Sequence, residues 1–472
     1  MLFTIYVFNA EWFAFSASTP DISSTPLAII IYAPERLLIR LKSIPERMQY
    51  EFKQNKSILR TYIESIDKLN KQYGVYAIER LVENQQNSQS QDRMIPNEKI
   101  KRTFVFKVLE NVDILRLVEE YSKDPMVEYA EPDYIGQGGG TVIPNDTRFS
   151  EQWALHNTGQ NNGKNGADID ATEAWLATTG NNKIIVAILD TGIDLQHPDL
   201  RSKITSGFDF VNNDDDPQDD NGHGTSIAGI VGAITNNNEG IAGICWDCTL
   251  MPVKVLDATK YGFYSWWIKG ISYAVEHQAS VIVMSLGGDK FSQTLKDAVD
   301  FAYNNGIVLV SITHNFGNDV VYYPAGYENV IAVGATDMND NRWINSNYGK
   351  HIDVVAPGVS ILTTTKGGNY SRWTGTSQAA AHIAGLSALL LSLNPELSPS
   401  QIREIIEKTA EDKVGFTNED TTGWDQYYGY GRINAYQALI LAKGFSPTSV
   451  KSKDSIITTW GHIKNTSKIQ MK

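Results

Sequence analysis

Three short segments of the sequence hold side chains that could act together. Residues 221–230, NGHGTSIAGI, fix His223 between two glycines ahead of a run of small residues. The apolar run IIVAILD closes on Asp190, and GTSQAAAHIAG sets Ser377 behind a glycine turn at the head of a long small-residue segment. A hydroxyl is a weak nucleophile at neutral pH until a neighbouring base takes its proton, and an imidazole serves as that base when an acid orients its other nitrogen. Asp190, His223 and Ser377 supply one group of each kind. Each also has a plain structural reading: a turn histidine, a strand-end carboxylate, a serine capping a helix. The chemical reading requires a fold that brings all three to one place, with the positive end of a helix behind the serine.

The elements around them fit that requirement. KIIVAILD, TLMPVKVL, SVIVMSLG, GIVLVSIT and VIAVGAT are short, nearly continuous apolar runs, as expected of strands buried on both faces of a parallel sheet. Helical segments, YSWWIKGISYAVEH, TLKDAVDFAYNNG and TSQAAAHIAGLSALLLSLN, lie among them. This pattern predicts an α/β unit over 145–443, a mainly parallel sheet with helices on both faces. In such a sheet, side chains at the carboxyl ends of strands converge on one crevice, which is where Asp190 falls.

Ahead of it, residues 29–43 read as a strand interrupted by a turn and resumed. Residues 57–74 place Ile58, Tyr62, Ile63, Ile66, Leu69 and Tyr73 on one helical face with Gly74 at its end. VYAIERL, FVFKVLE and PMVEYAE read as strands and VDILRLVEEYSKD as a helix. The order β, α, β, β, α, β predicts a small two-layer α+β unit of ferredoxin-like form over 24–137. Residues 1–23 carry an apolar stretch with no Lys or Arg ahead of it, a poor export signal that reads as a signal remnant. The glycine-rich segment 138–144 reads as a linker, and the polar, Lys-rich residues 444–472 as a tail.

Composition narrows the function classes. Hydrophobic residues make up 42% and charged residues 20%, ordinary for a folded protein. Lys and Arg total 41 against 54 Asp and Glu, a formal charge of −13, so no basic stripe points to nucleic acid. No run approaches the roughly 20 apolar residues of a membrane span. The two cysteines form CWDC with no second pair for a four-ligand zinc site; a disulfide, two thiols and a redox pair stay open. Neither GxGxxG nor GxxxxGK occurs in the context a nucleotide-binding protein needs.

Five collinear segments, AILDTGIDLQHPDL, NGHGTSIAG, MSLGG, VVAPGVSI and GTSQAAAHIAG, resemble the successive signature blocks of subtilisin-like serine peptidases across nearly all of 145–440. The resemblance implies that Asp190 orients the imidazole, His223 acts as base and then acid, and Ser377 attacks the scissile carbonyl. It selects Asn315 in GIVLVSITHNFGND as the oxyanion donor, with Asn318 as second choice. Substrate would lie as an extended strand against Ser285, Leu286 and Gly287 and along Tyr261, Gly262 and Phe263. A structural Ca²⁺ is implied, with Gln152, Asp199, Asn237 and the carbonyls of Thr235, Glu239 and Ile241 as an all-oxygen set, and no catalytic cofactor. The amino-terminal unit resembles the family's inhibitory prosegment, removed by cleavage within 135–145. The expected protein is a secreted, monomeric zymogen whose partners are protein or peptide substrates and its own prosegment.

The glycines beside His223 are expected to leave room for substrate, and Ala228, Gly229, Gly232 and Ala233 to let the following helix pack closely. Three departures from the family pattern stand out. Ser226 replaces a histidine, Gln378 and Ala381 replace Met and Pro, and His314 replaces the glycine before the oxyanion asparagine. With Ile312 and Thr313, His314 should make the primary pocket wall bulkier and more polar. A rival reading, a noncatalytic peptide-binding protein on the same fold, has no need of Asp190, His223, Ser377 and Asn315 together.

Overall fold

The computed structural model describes residues 4–6, 30–55, 57–82, 98–109, 112–134 and 140–443. The tail at 444–472, most of the amino-terminal segment and residues 138 and 139 of the linker lie outside the described residues.

The amino-terminal unit is an antiparallel sheet carrying two helices. Its four main strands run in the order Val127–Tyr134, Ile30–Leu41, Thr103–Lys107, Ala77–Arg80. Helices Glu64–Gln72 and Ile114–Ser122 supply the crossovers, the ferredoxin-like arrangement. Leu37, Ile39, Ile78, Phe104 and Phe106 from the sheet meet Ile66, Leu117 and Tyr121 from the helices in one buried core. The Tyr121 hydroxyl ties the two helices together by donating to Asn70 Oδ1 at 2.6 Å.

Local chemistry moved two boundaries from their expected places. The first of these helices starts at Glu64, because the Asp67 carboxylate takes the backbone N–H groups of Thr61 and Tyr62 and so forms a turn there, with Tyr62 at φ 61°. Ile58 instead pairs with Ile78 in a short strand. Residues 30–41 form one continuous strand, with the irregularity confined to its register against Val127–Tyr134. A helix at Glu46–Gln54 had not been expected.

The second unit is built on a seven-stranded sheet in the order Val354–Pro357, Ile331–Thr336, Val308–Ile312, Val281–Met284, Ile185–Asp190, Thr249–Lys254, Phe208–Asp209. All its pairings are parallel. Successive side chains alternate between two cores: Val186 and Ile188 enter one, Ala187 and Leu189 the other. This two-sided burial is why the strands read as unbroken apolar runs. The first core is filled by the helix Thr376–Leu393, in which every residue from Thr376 to Leu391 is buried. That helix is long and apolar enough to cross a membrane by composition, but 89% of it lies inside the protein. Helices Tyr264–Glu276 and Gln293–Asn304 cover the other face. The antiparallel hairpin Ile361–Thr365 with Asn369–Trp373 feeds directly into the buried helix. Cys245 and Cys248 are buried free thiols, with Cys248 Sγ donating to the Cys245 carbonyl at 3.2 Å.

Candidate active site

Asp190 ends the strand whose neighbours, Val281–Met284 and Thr249–Lys254, lie on opposite sides in the sheet order. The chain therefore winds away in both directions from this point, and a crevice opens above it. Asp190 is fully buried, and both its carboxylate oxygens face His223 Nδ1, at 2.7 and 2.9 Å. Thr191 N–H donates to the same carboxylate at 2.7 Å. A carboxylate on Nδ1 draws the ring proton to that nitrogen and leaves Nε2 with its lone pair as a base.

Each glycine beside His223 meets a local backbone requirement. Gly222 adopts φ 110°, which turns the chain into the helix His223–Gly232. A Cβ on Gly224 would stand 2.1 Å from the Gly192 carbonyl oxygen and 3.1 Å from Asp190 Cβ. Gly224 thus lets the helix start abut the end of the Asp190 strand. Farther on, a Cβ on Gly229 would meet Thr364 Oγ1 at 2.2 Å, the close helix packing that the small residues suggested. Asp219 organises the turn, accepting from the N–H groups of Asn221, Gly222 and Thr225 and from the hydroxyls of Thr191 and Thr225. Sequence reasoning missed Asp219; its only local signal was a carboxylate four residues ahead of a histidine.

Ser377 lies in the first turn of Thr376–Leu393, where unpaired N–H groups favour negative charge. Asn315 is held beside it: its Oδ1 accepts from Thr376 N at 2.9 Å and from Thr376 Oγ1 at 2.8 Å, which frees Nδ2 to donate elsewhere. Asn318 is instead turned into its own loop, its Oδ1 accepting from Val320 N. Ser285 Oγ donates to the Ser377 carbonyl at 3.4 Å, tying the exit of the strand Val281–Met284 to the serine. Among the described residues the Ser377 hydroxyl has no hydrogen bond to the imidazole; such contacts are often long in free enzymes and tighten with substrate. Two of the departures from the family pattern meet here. Gln378 Nε2 donates to Ser226 Oγ at 3.3 Å, and Ser226 Oγ donates to the His223 carbonyl at 2.6 Å. This buried bridge joins the helix of the serine to the helix of the histidine.

Of the expected substrate contacts, Tyr261 has its backbone engaged in a turn, its N–H donating to Asp257 Oδ1 and its carbonyl accepting from Asp257 N. Its ring and that of Phe263 are 77% and 67% exposed, so these residues offer side chains more than a backbone edge. His314, at φ 88°, lays its ring against Phe316 and Tyr322, with centroids 4.9 and 4.3 Å away. Its Nδ1 is buried without a hydrogen-bond partner among the described residues, and burial lowers the ring's pKa.

Around the expected Ca²⁺ donors, the Gln152 amide accepts from Ala242 N–H at 2.7 Å and donates to the Ala242 carbonyl at 2.8 Å. Asp146, an acid not among the expected donors, lies beside the same loop. Its Oδ2 accepts from Asn236 N, while Oδ1 is buried with no partner among the described residues. Asp199 accepts from Asn237 Nδ2, Ile241 N and Tyr370 Oη. Burial raises the pKa of both carboxyls, and Asp146 raises that of Asp199 further. Two buried carboxylates under an oxygen-rich loop, one with an orphaned oxygen, fit a hard cation.

Residues 181–431 match the Subtilase family, Peptidase_S8. The chain is 42% identical to a thermophilic serine proteinase of Bacillus sp. (strain AK1) over 344 residues, 73% of this chain and 80% of that protein. It is 44% identical to thermitase of Thermoactinomyces vulgaris over 271 residues, 57% of this chain and 93% of thermitase. Among solved structures it is similar to a protease of Pseudoalteromonas arctica PAMC 21717, with TM-score 0.57 and 30% identity over 63% of this chain and 99% of that one. The matched span includes the segments that hold Asp190, His223 and Ser377, and the chain belongs to the subtilase family as a subtilisin-like serine endopeptidase.

Proposed function

We propose that Asp190, His223 and Ser377 form the catalytic triad, with Asn315 as oxyanion donor, in an enzyme made as a zymogen and stabilised by calcium. The observation that carries the assignment is a pair of anchored groups. The imidazole is held by a fully buried carboxylate, and the Asn315 amide is fixed through its oxygen to the residue before Ser377. His223 Nε2 takes the Ser377 proton as Oγ attacks the scissile carbonyl carbon. The carbonyl oxygen becomes an oxyanion and accepts from Asn315 Nδ2. The tetrahedral species then collapses: the peptide C–N bond breaks, the leaving amine takes the proton from His223, and the acyl-enzyme remains. Water, deprotonated by the same imidazole, attacks the ester, and Ser377 leaves with its proton restored. Asp190 keeps its charge throughout and stabilises the imidazolium.

The amino-terminal unit, with a core of its own, acts as the prosegment, and cleavage within 135–145 releases the enzyme. Secretion and a monomeric state accompany this reading. Asp146, Asp199 and the loop 235–241 would hold Ca²⁺, which when bound offsets the repulsion of the two carboxylates. The test compares wild type with Ser377→Ala by fluorophosphonate labelling, casein hydrolysis and intact mass. Wild type is expected to be labelled and to shed its amino-terminal unit, and the variant to lose about 10⁶ in turnover, the size of this deletion in subtilisin. A folded wild type that neither labels nor hydrolyses casein would favour the peptide-binding alternative.

A further inference from the structure

The acyl carbonyl of a bound substrate must sit between Ser377 Oγ and Asn315 Nδ2. The side chain of the residue that owns this carbonyl leaves from the adjacent α-carbon, so the groups beside Asn315 decide what fits. Two strand ends border that position. One is Ser285–Gly287, tied to Ser377 through Ser285 Oγ. The other is Thr313–Asn315, which follows the neighbouring strand Val308–Ile312, paired with the first as far as Met284 and Ser311. The space between these ends is where a large side chain would have to enter.

That space is filled from within the chain. A Cβ placed on Gly287 would find His314 Cδ2 at 3.2 Å and Tyr322 Cβ at 3.4 Å. The two residues therefore close over the open face of that glycine. Their rings lie 4.3 Å apart, and Phe316 stacks on His314 at 13° and on Tyr322 at 24°, so three rings support one another. His314 is fixed in place: its φ is 88° and its carbonyl accepts from Asn347 N at 2.9 Å. Admitting a bulky side chain would require separating His314 from Tyr322 and giving up this stack.

We propose that the rings of His314 and Tyr322 plug the primary specificity pocket, so that the enzyme cleaves after residues with small side chains, Gly, Ala or Ser, in preference to Phe or Leu. The assignment rests on the proposed roles of Ser377 and Asn315. The test measures kcat/KM on peptide anilides that differ only in this residue, Gly, Ala, Leu and Phe, for wild type, His314→Gly and Tyr322→Ala. Glycine suits the backbone at 314, and the second variant opens the plug independently should the first fail to fold. Wild type should favour Ala over Phe by about tenfold or more, a ratio that pocket shape alone can supply, and each variant should shift the ratio toward Phe by a similar factor. Equal or better cleavage after Phe by wild type, or an unchanged ratio in both folded variants, overturns the plug. Fluorophosphonate labelling separates the two levels. A labelled enzyme with the wrong preference sinks only the plug, whereas an unlabelled, inert enzyme removes the serine endopeptidase reading and the plug with it.

Discussion

Asn315 has two tasks at once, since one end of its amide holds Thr376 and the other is free to meet an oxyanion. Asn315→Ala should therefore lower kcat by about 10² to 10³, the size that removal of such a donor has in subtilisin, while KM changes little. Steady-state kinetics on an alanyl anilide would show this, and a loss of only about threefold would remove Asn315 from the mechanism. The pairing of Asp190 with His223 was legible in the sequence because their segments resemble family blocks, the same resemblance that singled out Ser377 and Asn315. Asp146 was hidden in a turn-like PND, and its significance lies in an orphaned oxygen that only tertiary packing creates. Tyr322 was equally invisible, because VVYY gives no hint that its second aromatic neighbour in space is His314. Gln152 shows the opposite case: its amide bonds a backbone partner 90 residues away, a contact no local pattern signals.

The helix Thr376–Leu393 carries a buried titratable group one turn beyond the serine. His382 is 1% exposed, its Nδ1 bonds the Gln378 carbonyl at 2.8 Å, and burial pushes its pKa down to about 4. A histidine depressed from 6.5 in the folded state favours the fold fully above the unfolded value, and that contribution is lost as pH falls from about 6.5 through about 4. The shift corresponds to about 3 kcal/mol at most. In a Ser377→Ala background, which prevents self-digestion, denaturant unfolding at pH 7 and pH 4.5 should show a smaller acid loss for His382→Gln than for its parent. Identical losses would place the acid sensitivity elsewhere. At this scale the five apolar strands and three long helices of the second unit were readable, since burial on both faces imposes continuous hydrophobicity. The short strands Phe208–Asp209 and Val354–Pro357 were not, and Asp67 turned an apparent helix start into a turn.

For the molecule as a whole, the amino-terminal unit and the subtilisin-like unit bury separate cores, which suits a precursor whose two parts are to be parted. The cation proposed at Asp146 and Asp199 concerns the second of these. At 100 times its dissociation constant a bound ion adds about 2.7 kcal/mol of stability. Chelation with EGTA should then lower the Tm of the Ser377→Ala protein by about 4 °C. Asp146→Asn should blunt this response, and a Tm indifferent to EGTA in the parent would exclude the ion.

The burial of Thr376–Leu391 on every side has a consequence for how the enzyme is lost. Beyond its first turn, its amides exchange with solvent only when the whole unit opens, because no local fraying exposes a helix surrounded by sheet and neighbours. The proposed nucleophile is thus mounted on one of the last segments to come apart. Residual activity after heating will count molecules that are still entirely folded, and inactivation half-lives will track global unfolding instead of the loosening of surface loops.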